Sequence, residues 1–213
     1  MSRWEPNARE RLERAAMELF RAQGYTQTTV QEIAGRAGLT ERTFFRYFTD
    51  KREVLFGGAG ALKKLIAEGV AGAPQTTAPL EAVVIAFEAV APMFQGRREY
   101  AKARRALIIA HPELRERELI KLTLLASVAA EALRERAVVE PAASLAAEAA
   151  TTVFKIGFDR WIDDSKARDL SHHIRNSLDA LKAVISGSGD AFSEPRSATA
   201  TGRRAPRDSP VHD

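Results

Sequence analysis

The chain has 213 residues, 45% of them hydrophobic, which is enough for one or two domains with a sizeable core. It has no cysteine, which excludes disulfides and thiol chemistry, and no signal core or apolar run of about 18 residues, so we expect a cytoplasmic protein without membrane contact. The net charge is +4, but basic and acidic residues nearly balance in residues 1–56 and again in 57–186, so charge alone does not predict nucleic-acid binding.

The first long helix is predicted after a short arm at residues 1–6. It begins at Asn7, an N-cap residue with Glu10 at the capping-box position, and ends at Gly24. Helical spacing places these apolar residues on one face: Leu12, Ala15, Ala16, Leu19 and Phe20. This face is expected to cover two short helices that follow.

The first short helix is predicted to begin at Thr29, whose hydroxyl caps it while Glu32 closes a capping box. Gly38 suits the left-handed conformation that ends a helix. The apolar stripe between them is Val30, Ile33, Ala34 and Ala37. A second helix is predicted to begin two residues after Gly38.

The second short helix, about Thr40 to Phe48, has two different faces. Phe44 and Phe48 point inward, whereas Arg42 and Arg46 project outward. Two helices joined by a tight turn, with guanidinium groups on the outer face, are typical of a helix-turn-helix, whose second helix enters the major groove.

A third helix is predicted from Asp50, its cap, to about Val70. Lys51 lies at its positively polarised start, which favours a phosphate contact over a structural ion pair. Three glycines interrupt the helix, each costing about 1 kcal/mol relative to alanine: Gly57, Gly58 and Gly60. Two interpretations stay open, a broken helix or a joint that is soft where two domains must move.

The run TTVQEIAGRAGLTERTFFRYFTDKREVLF resembles the DNA-binding signature of the TetR family of bacterial transcriptional regulators. The resemblance covers the N-terminal quarter of the chain. It implies an all-α homodimer that binds a palindromic operator, usually as a repressor, and releases it when a small molecule binds. Phe45 stands where the family most often has tyrosine, which favours an apolar contact with a thymine methyl group over a hydroxyl contact.

The resemblance also implies which residues face the double-stranded DNA operator. Phosphate contacts are predicted for Thr29, Tyr47 and Lys51, and base contacts for Gln31, Arg42, Thr43, Phe45 and Arg46. Thr40, at the start of the second helix, completes the predicted DNA-binding set.

The remaining residues show helical periodicity without an alternating strand pattern, so the expected fold is all-α. We divide the chain into a helix-turn-helix domain (7–56, the motif at about 29–51), a helical ligand-binding and dimerisation domain (57–186), and a disordered tail (187–213). Pro112 is predicted to open one long helix and Pro141 the next. The last helix should run from about Asp169 to Ser186.

The second domain more weakly resembles a TetR subgroup that includes the mycofactocin-type regulators, through HPELRERELIKLTLLASVAAEALRER and the segment 158–161. This resemblance implies a small-molecule effector such as acyl-CoA or another amphipathic acid. An effector cavity would be lined by Phe87, Phe94, Arg105, Ile108, Leu122 and Leu125, although each could instead be a core residue or form a salt bridge. For Trp161, Ile174, Leu178 and Leu181, a homodimer interface and the protomer's own core are equally open.

Two other classes of function remain alternatives. An all-helical enzyme has little support, because a di-metal site needs paired E-x-x-H motifs and no other catalytic motif is present. His172 and His173 are predicted to be a surface pair, and neither a cofactor nor a metal is expected. A non-catalytic, architectural DNA-binding protein would favour lysine clusters over the base-reading residue types found here.

Overall fold

The computed structural model describes residues 7–166 and 168–187, so the predicted arm (1–6) and the tail beyond 187 lie outside the described residues. Within those ranges the chain forms nine α-helices and no strand, which confirms the all-α fold. The helices are α1 Ala8–Gln23, α2 Val30–Arg36, α3 Glu41–Tyr47, α4 Ala59–Gly72, α5 Pro79–Ala89, α6 Arg98–Ala110, α7 Pro112–Glu135, α8 Ala142–Asp163 and α9 Leu170–Ser186. None of the described helices is long and apolar enough to span a membrane.

The first three helices and a 3-10 turn, Glu53–Phe56, share one apolar core and form what we call the N-terminal unit. Phe20 of α1, Ile33 of α2 and Phe44 of α3 are almost fully buried in it. The predicted cover of the two short helices by α1 is therefore confirmed. The predicted cap at Asn7 is wrong: Asn7 adopts a left-handed conformation, and its side chain makes no cap hydrogen bond.

The helix predicted from Asp50 to Val70 is broken into two elements. The 3-10 turn ends at Phe56, Gly57 and Gly58 follow, and α4 begins at Ala59. Gly57 passes so close to α1 that a Cβ atom there would collide with the Glu13 carboxylate. The Glu13 carboxylate is the mobile end of a flexible side chain and can move aside, so the break is attributed to the two successive glycines, each about 1 kcal/mol less favourable in a helix than alanine.

The C-terminal domain consists of α4 to α9 around a second core. Ile66 and Val70 of α4 belong to this core, which is consistent with a domain boundary near residue 57. The helices α8 and α9 pack closely at Gly157, which has no side chain. A Cβ atom there would lie only 2.9 Å from the Ile174 backbone. Two residues of this domain, Ile108 of α6 and Leu114 of α7, pack instead into the core of the N-terminal unit.

Several predicted helix ends are confirmed. Pro112 occupies the first turn of α7. Asp169 caps α9 by accepting a hydrogen bond from the His172 amide at 2.8 Å. The same helix ends at Gly187, which has a φ of 67°.

Candidate nucleic-acid interface

The entry to α2 is fixed by the predicted capping box. The Thr29 hydroxyl oxygen accepts a hydrogen bond from the Glu32 amide at 3.2 Å, and the Glu32 carboxylate accepts one from the Thr29 amide at 2.8 Å. The hydrogen bond from the Thr29 amide also lowers the pKa of the Glu32 carboxyl. The first turn of α2 is therefore stabilised by hydrogen bonds between its own capping residues.

The turn between α2 and α3 is closed by backbone hydrogen bonds around Gly38. Its φ is 65°, its amide donates to the Gly35 carbonyl at 2.9 Å, and the Leu39 amide donates to the Ala34 carbonyl at 2.8 Å. This pair of bonds is a Schellman motif, which requires the left-handed residue that glycine supplies. The turn sets the angle at which α3 leaves α2.

The helix α3 has a buried inner face and an exposed outer face, as predicted. Phe44 and Phe48 are buried with their ring centroids 5.4 Å apart. Arg42 and Arg46 are exposed on the other side, and Phe45 between them is 54% exposed. The Phe45 ring packs edge-on against the Phe44 ring, with the two centroids 5.5 Å apart, and its remaining surface is open to solvent on the outer side of α3.

Two pairs of side chains on α3 hold each other. The hydroxyls of Thr40 and Thr43 lie 3.1 Å apart, and the Thr40 hydroxyl caps the helix by accepting from the Thr43 amide at 3.2 Å. The Arg46 guanidinium donates to the Tyr47 hydroxyl at 3.3 Å and lies 5.0 Å from its ring centroid. These contacts limit the rotamers of the polar groups before any ligand arrives.

Lys51 differs from the expected phosphate ligand. Its ammonium group donates to three backbone carbonyls, those of Tyr25 at 2.9 Å, Thr28 at 3.0 Å and Thr26 at 3.3 Å. It also lies 4.5 Å from the centroid of the Tyr25 ring. Because an ammonium has three donors, the side chain is already fully engaged in holding the loop before α2.

The structure thus exposes most of the predicted DNA-binding residues along α2 and α3. Thr43, Tyr47 and Lys51 are half-buried, and the exposed residues are Thr29, Gln31, Thr40, Arg42, Phe45 and Arg46. No described residue group has the His, Asp and Glu arrangement of a metal site. The outer face of α3 is polar and cationic, with one exposed aromatic ring at its edge.

The six residues predicted to line an effector cavity are not all brought together. Phe87 and Leu125 are buried in the C-terminal core, and Phe94 and Leu122 pack against it. Ile108 lies apart from them in the core of the N-terminal unit. Phe87 stacks on Phe154 of α8 with a centroid separation of 4.6 Å.

Arg105 is paired with a carboxylate on α8. Its guanidinium donates to both oxygens of Asp163, one of them at 2.9 Å, and to the Asp159 carbonyl at 3.3 Å. The hydrogen bonds from Arg105 lower the pKa of the Asp163 carboxyl. An acidic ligand at Arg105 would have to displace this partner.

A shallow surface pocket of about 430 Å³ lies where α8 meets α9, and none of the predicted effector residues lines it. His173 is buried beside it, with its Nε2 3.0 Å from an Asp164 carboxylate oxygen, so the predicted surface pair of histidines is wrong for His173. The lining consists of Asp159, Arg160, Asp163, Asp164, Arg168, His173 and Asn176. With three carboxylates against two guanidinium groups, this pocket is not suited to phosphates.

The residues considered for a dimer interface occupy the protomer's own core, the second of the two alternatives. Trp161, Ile174 and Leu178 are at most 4% exposed, and Leu181 packs against the same core. A different apolar stripe on α8 and α9 is exposed: Leu145, Ile156, Val184 and Ile185. The sequence carried a signal for it, because α8 is apolar on two faces, and one core can cover only one of them.

Comparison with known proteins gives two matches to families. Residues 13–56 match the bacterial regulatory proteins of the tetR family, and residues 77–186 match the MftR C-terminal domain. The HTH-type transcriptional regulator TcmR of Streptomyces glaucescens is 42% identical over 82 residues, which is 38% of this chain but only 36% of that protein.

Two solved structures share the architecture over most of both chains. The FadR repressor of Thermus thermophilus, in complex with lauroyl-CoA, is 25% identical with a TM-score of 0.51, covering 92% of this chain and 100% of that one. The fatty acid degradation regulator FadR of Bacillus halodurans is 20% identical with a TM-score of 0.52, and the match covers 81% of this chain and 96% of that one. At this identity the likeness is evidence for a shared fold only.

Proposed function

Because the chain belongs to the TetR family of bacterial transcriptional regulators, which are not enzymes, we propose that it binds a palindromic operator as a dimer and represses transcription until an effector binds. The observation that carries the proposal is the outer face of α3, where Arg42 and Arg46 project outward beside the exposed ring of Phe45. A helix of this shape enters the major groove, where guanidinium groups pair with guanine and apolar groups contact thymine methyls.

The predicted DNA contacts are of two kinds, those that reach base edges in the groove and those that bind backbone phosphates. Arg42, Thr43, Phe45 and Arg46, with Gln31 on α2, are assigned to base edges. Thr29 and Tyr47 at the helix ends are assigned to phosphates, which fix position without carrying sequence information. Lys51 is removed from this group, since its ammonium holds three carbonyls.

Footprinting on the DNA that flanks its own gene tests this proposal. Two protected half-sites with centres about 34–36 Å apart are expected, because two α3 helices must reach successive major grooves. A footprint spread evenly over any sequence would instead favour an architectural DNA-binding protein.

The dimer is proposed to form through the exposed stripe on α8 and α9. Leu145 is 66% exposed and Ile185 is 73% exposed, and both belong to helices whose other faces are buried in the core. A second copy offers the same apolar surface, so a two-fold axis through this face would bury both stripes. A monomer by light scattering at micromolar concentration, with undiminished operator affinity, would contradict the dimer.

The effector is proposed to be an acyl-CoA or another amphipathic acid that enters among α5, α6 and α8. Support comes from the FadR structure with lauroyl-CoA and from the aromatic cluster that begins with Phe87 and Phe154. Their rings are stacked, and an acyl chain that inserted between them would shift α5 against α8. Arg105 is the proposed partner of the acidic group and would exchange Asp163 for it.

The test is to titrate lauroyl-CoA, free coenzyme A and laurate against the protein–operator complex. The coupling expected between two such sites is about 5- to 150-fold in operator affinity. Arg105→Ala should reduce the effect, whereas Arg134→Ala, at an exposed ion pair on α7, should not. If no amphipathic acid binds, or binding leaves operator affinity unchanged, the sensing proposal fails and the DNA-binding proposal stands alone.

A further inference from the structure

The backbone connection between the N-terminal unit and α4 is poorly suited to hold α3 in a fixed orientation. The 3-10 turn ends at Phe56, and Gly57 and Gly58 separate it from α4, whose start has no side-chain cap. A two-glycine break does not transmit a rotation as a continuous helix does. Contacts other than the backbone must therefore set the angle between the N-terminal unit and the C-terminal domain. Apolar packing of Ile108 and Leu114 holds the two together, and directional polar contacts can fix the angle.

The structure provides such a contact between Glu53 and α7. The Glu53 side chain is only 16% exposed, and its two carboxylate oxygens accept hydrogen bonds from Arg117 and from Lys121, the latter at 3.0 Å. Arg117 and Lys121 are four residues apart and thus lie on the same face of α7. Burial alone would raise the pKa of Glu53, but the hydrogen bonds from both partners outweigh it and lower the pKa, which keeps the group charged.

A second polar contact holds the same short segment from α6. The Arg104 guanidinium donates to the Leu55 carbonyl at 2.6 Å and, through its other nitrogens, to the Glu118 carboxylate on α7 at 2.7 and 3.3 Å. It also lies 4.8 Å from the centroid of the Phe56 ring. Three residues of the 3-10 turn are therefore held by α6 and α7.

The 3-10 turn is in turn joined firmly to α3. Asp50, two residues beyond the C-cap Phe48, accepts hydrogen bonds from the amides of Arg52 at 2.7 Å and Glu53 at 3.2 Å. Val54 and Leu55 are buried in the same core as Phe44. Displacing Glu53 would thus displace α3.

We propose that Glu53 is a positioning residue for operator binding: through Arg117 and Lys121 it fixes the orientation of α3 relative to the C-terminal domain. This inference rests on the proposed function, because orientation matters only if two copies of α3 must meet one operator. In the dimer, the orientation of α3 relative to the C-terminal domain sets the separation of the two α3 helices. Glu53 itself is not assigned a DNA contact, because its carboxylate is engaged with α7.

The test compares Glu53→Gln with the wild type in two measurements on the full chain. One is the affinity for the operator and for a scrambled duplex. The other is the distance between spin labels on Ala22→Cys, an exposed position of α1; the chain has no other cysteine, so each protomer carries one label.

Glu53→Gln should lower operator affinity about fivefold or more, which is the lower end of the range for coupled sites. Its affinity for the scrambled duplex should stay within about twofold of the wild type, because the phosphate contacts remain. The label distances should broaden or shift. Arg117→Gln, on the C-terminal domain, should reproduce both effects if Glu53→Gln fails to fold. Glu68→Gln is the control, because its pair with Lys64 is exposed and internal to α4.

Unchanged operator affinity and unchanged label distances in both Glu53→Gln and Arg117→Gln would overturn the proposal. A loss of affinity with unchanged distances would also overturn it, because Glu53 would then act by another route. If the wild type shows no operator preference at all, the proposed function has failed instead.

Discussion

Replacing Lys51 with methionine separates the phosphate contact predicted from sequence from the loop contact found in the structure. Methionine keeps an unbranched apolar stem of similar length but removes the ammonium group and its three hydrogen bonds. The carbonyls of Tyr25, Thr26 and Thr28 would each lose a charged donor. The loop that precedes α2 should then open more easily.

The size of the effect follows from the three bonds. A hydrogen bond from a charged donor contributes about 1.5–3 kcal/mol when well formed, and the cation–π contact with Tyr25 about 0.5–1 kcal/mol near the surface. The three bonds share one ammonium that is still half-exposed, so they do not add fully. We expect Lys51→Met to lower the free energy of local opening by about 2–3 kcal/mol.

Hydrogen exchange followed by mass spectrometry on peptides covering residues 25–37 measures that local free energy. The salt dependence of operator binding is the second measurement, because loss of one phosphate contact would lower its slope by about 0.9. Lys51→Met should speed exchange and leave the slope unchanged. Arg42→Met, at an exposed position, is the control and should leave exchange unchanged. Unaltered exchange with a lower slope in Lys51→Met would refute this reasoning and restore the phosphate contact.

Three further predictions concern the other sites. Arg46→Ala should cost about 1–3 kcal/mol of operator binding and relax base preference at one position, measured by anisotropy on single-base operator variants. Leu145→Glu should give a monomer by light scattering, because it places a charge within the exposed apolar stripe. Hydrogen bonds from Arg168 lower the pKa of Asp164 in the folded protein. The ionised Asp164 carboxyl therefore stabilises the fold above about pH 4, and this contribution is lost as the pH falls. Acid unfolding of Asp164→Asn should therefore show a shallower pH dependence.

Each of these predictions has a contradicting result. Unchanged base preference in Arg46→Ala would mean that α3 is oriented differently in the groove. A dimer that survives Leu145→Glu would move the interface elsewhere. An Asp164→Asn variant with the wild-type acid transition would mean that the ion pair is not maintained in solution.

Local chemistry made the helix-turn-helix predictable from sequence. The Thr29 cap, the Gly38 turn and the inward pair Phe44 and Phe48 each involve residues no more than five positions apart in the chain. Such signals depend on backbone geometry and helical period, which the sequence displays directly. The start of α7 at Pro112 was predictable for the same reason.

Contacts between distant residues were not predictable. Lys51 binds carbonyls more than twenty residues away, and Ile108 packs into the core of the N-terminal unit rather than with Phe87. Periodicity identifies an apolar face but not what covers it, so Trp161 and Leu145 looked alike in sequence, although one is 4% exposed and the other 66%. The chain's tertiary arrangement was needed to separate core from interface.

The most direct test of the central claim is the ratio of affinities for the operator and for a scrambled duplex of equal length at physiological salt. A regulator that reads bases through α3 should prefer its operator at least about 10³-fold. Arg46→Ala should lower this ratio while leaving the scrambled-duplex affinity nearly unchanged. A wild-type ratio near one, at any salt concentration, would contradict the account.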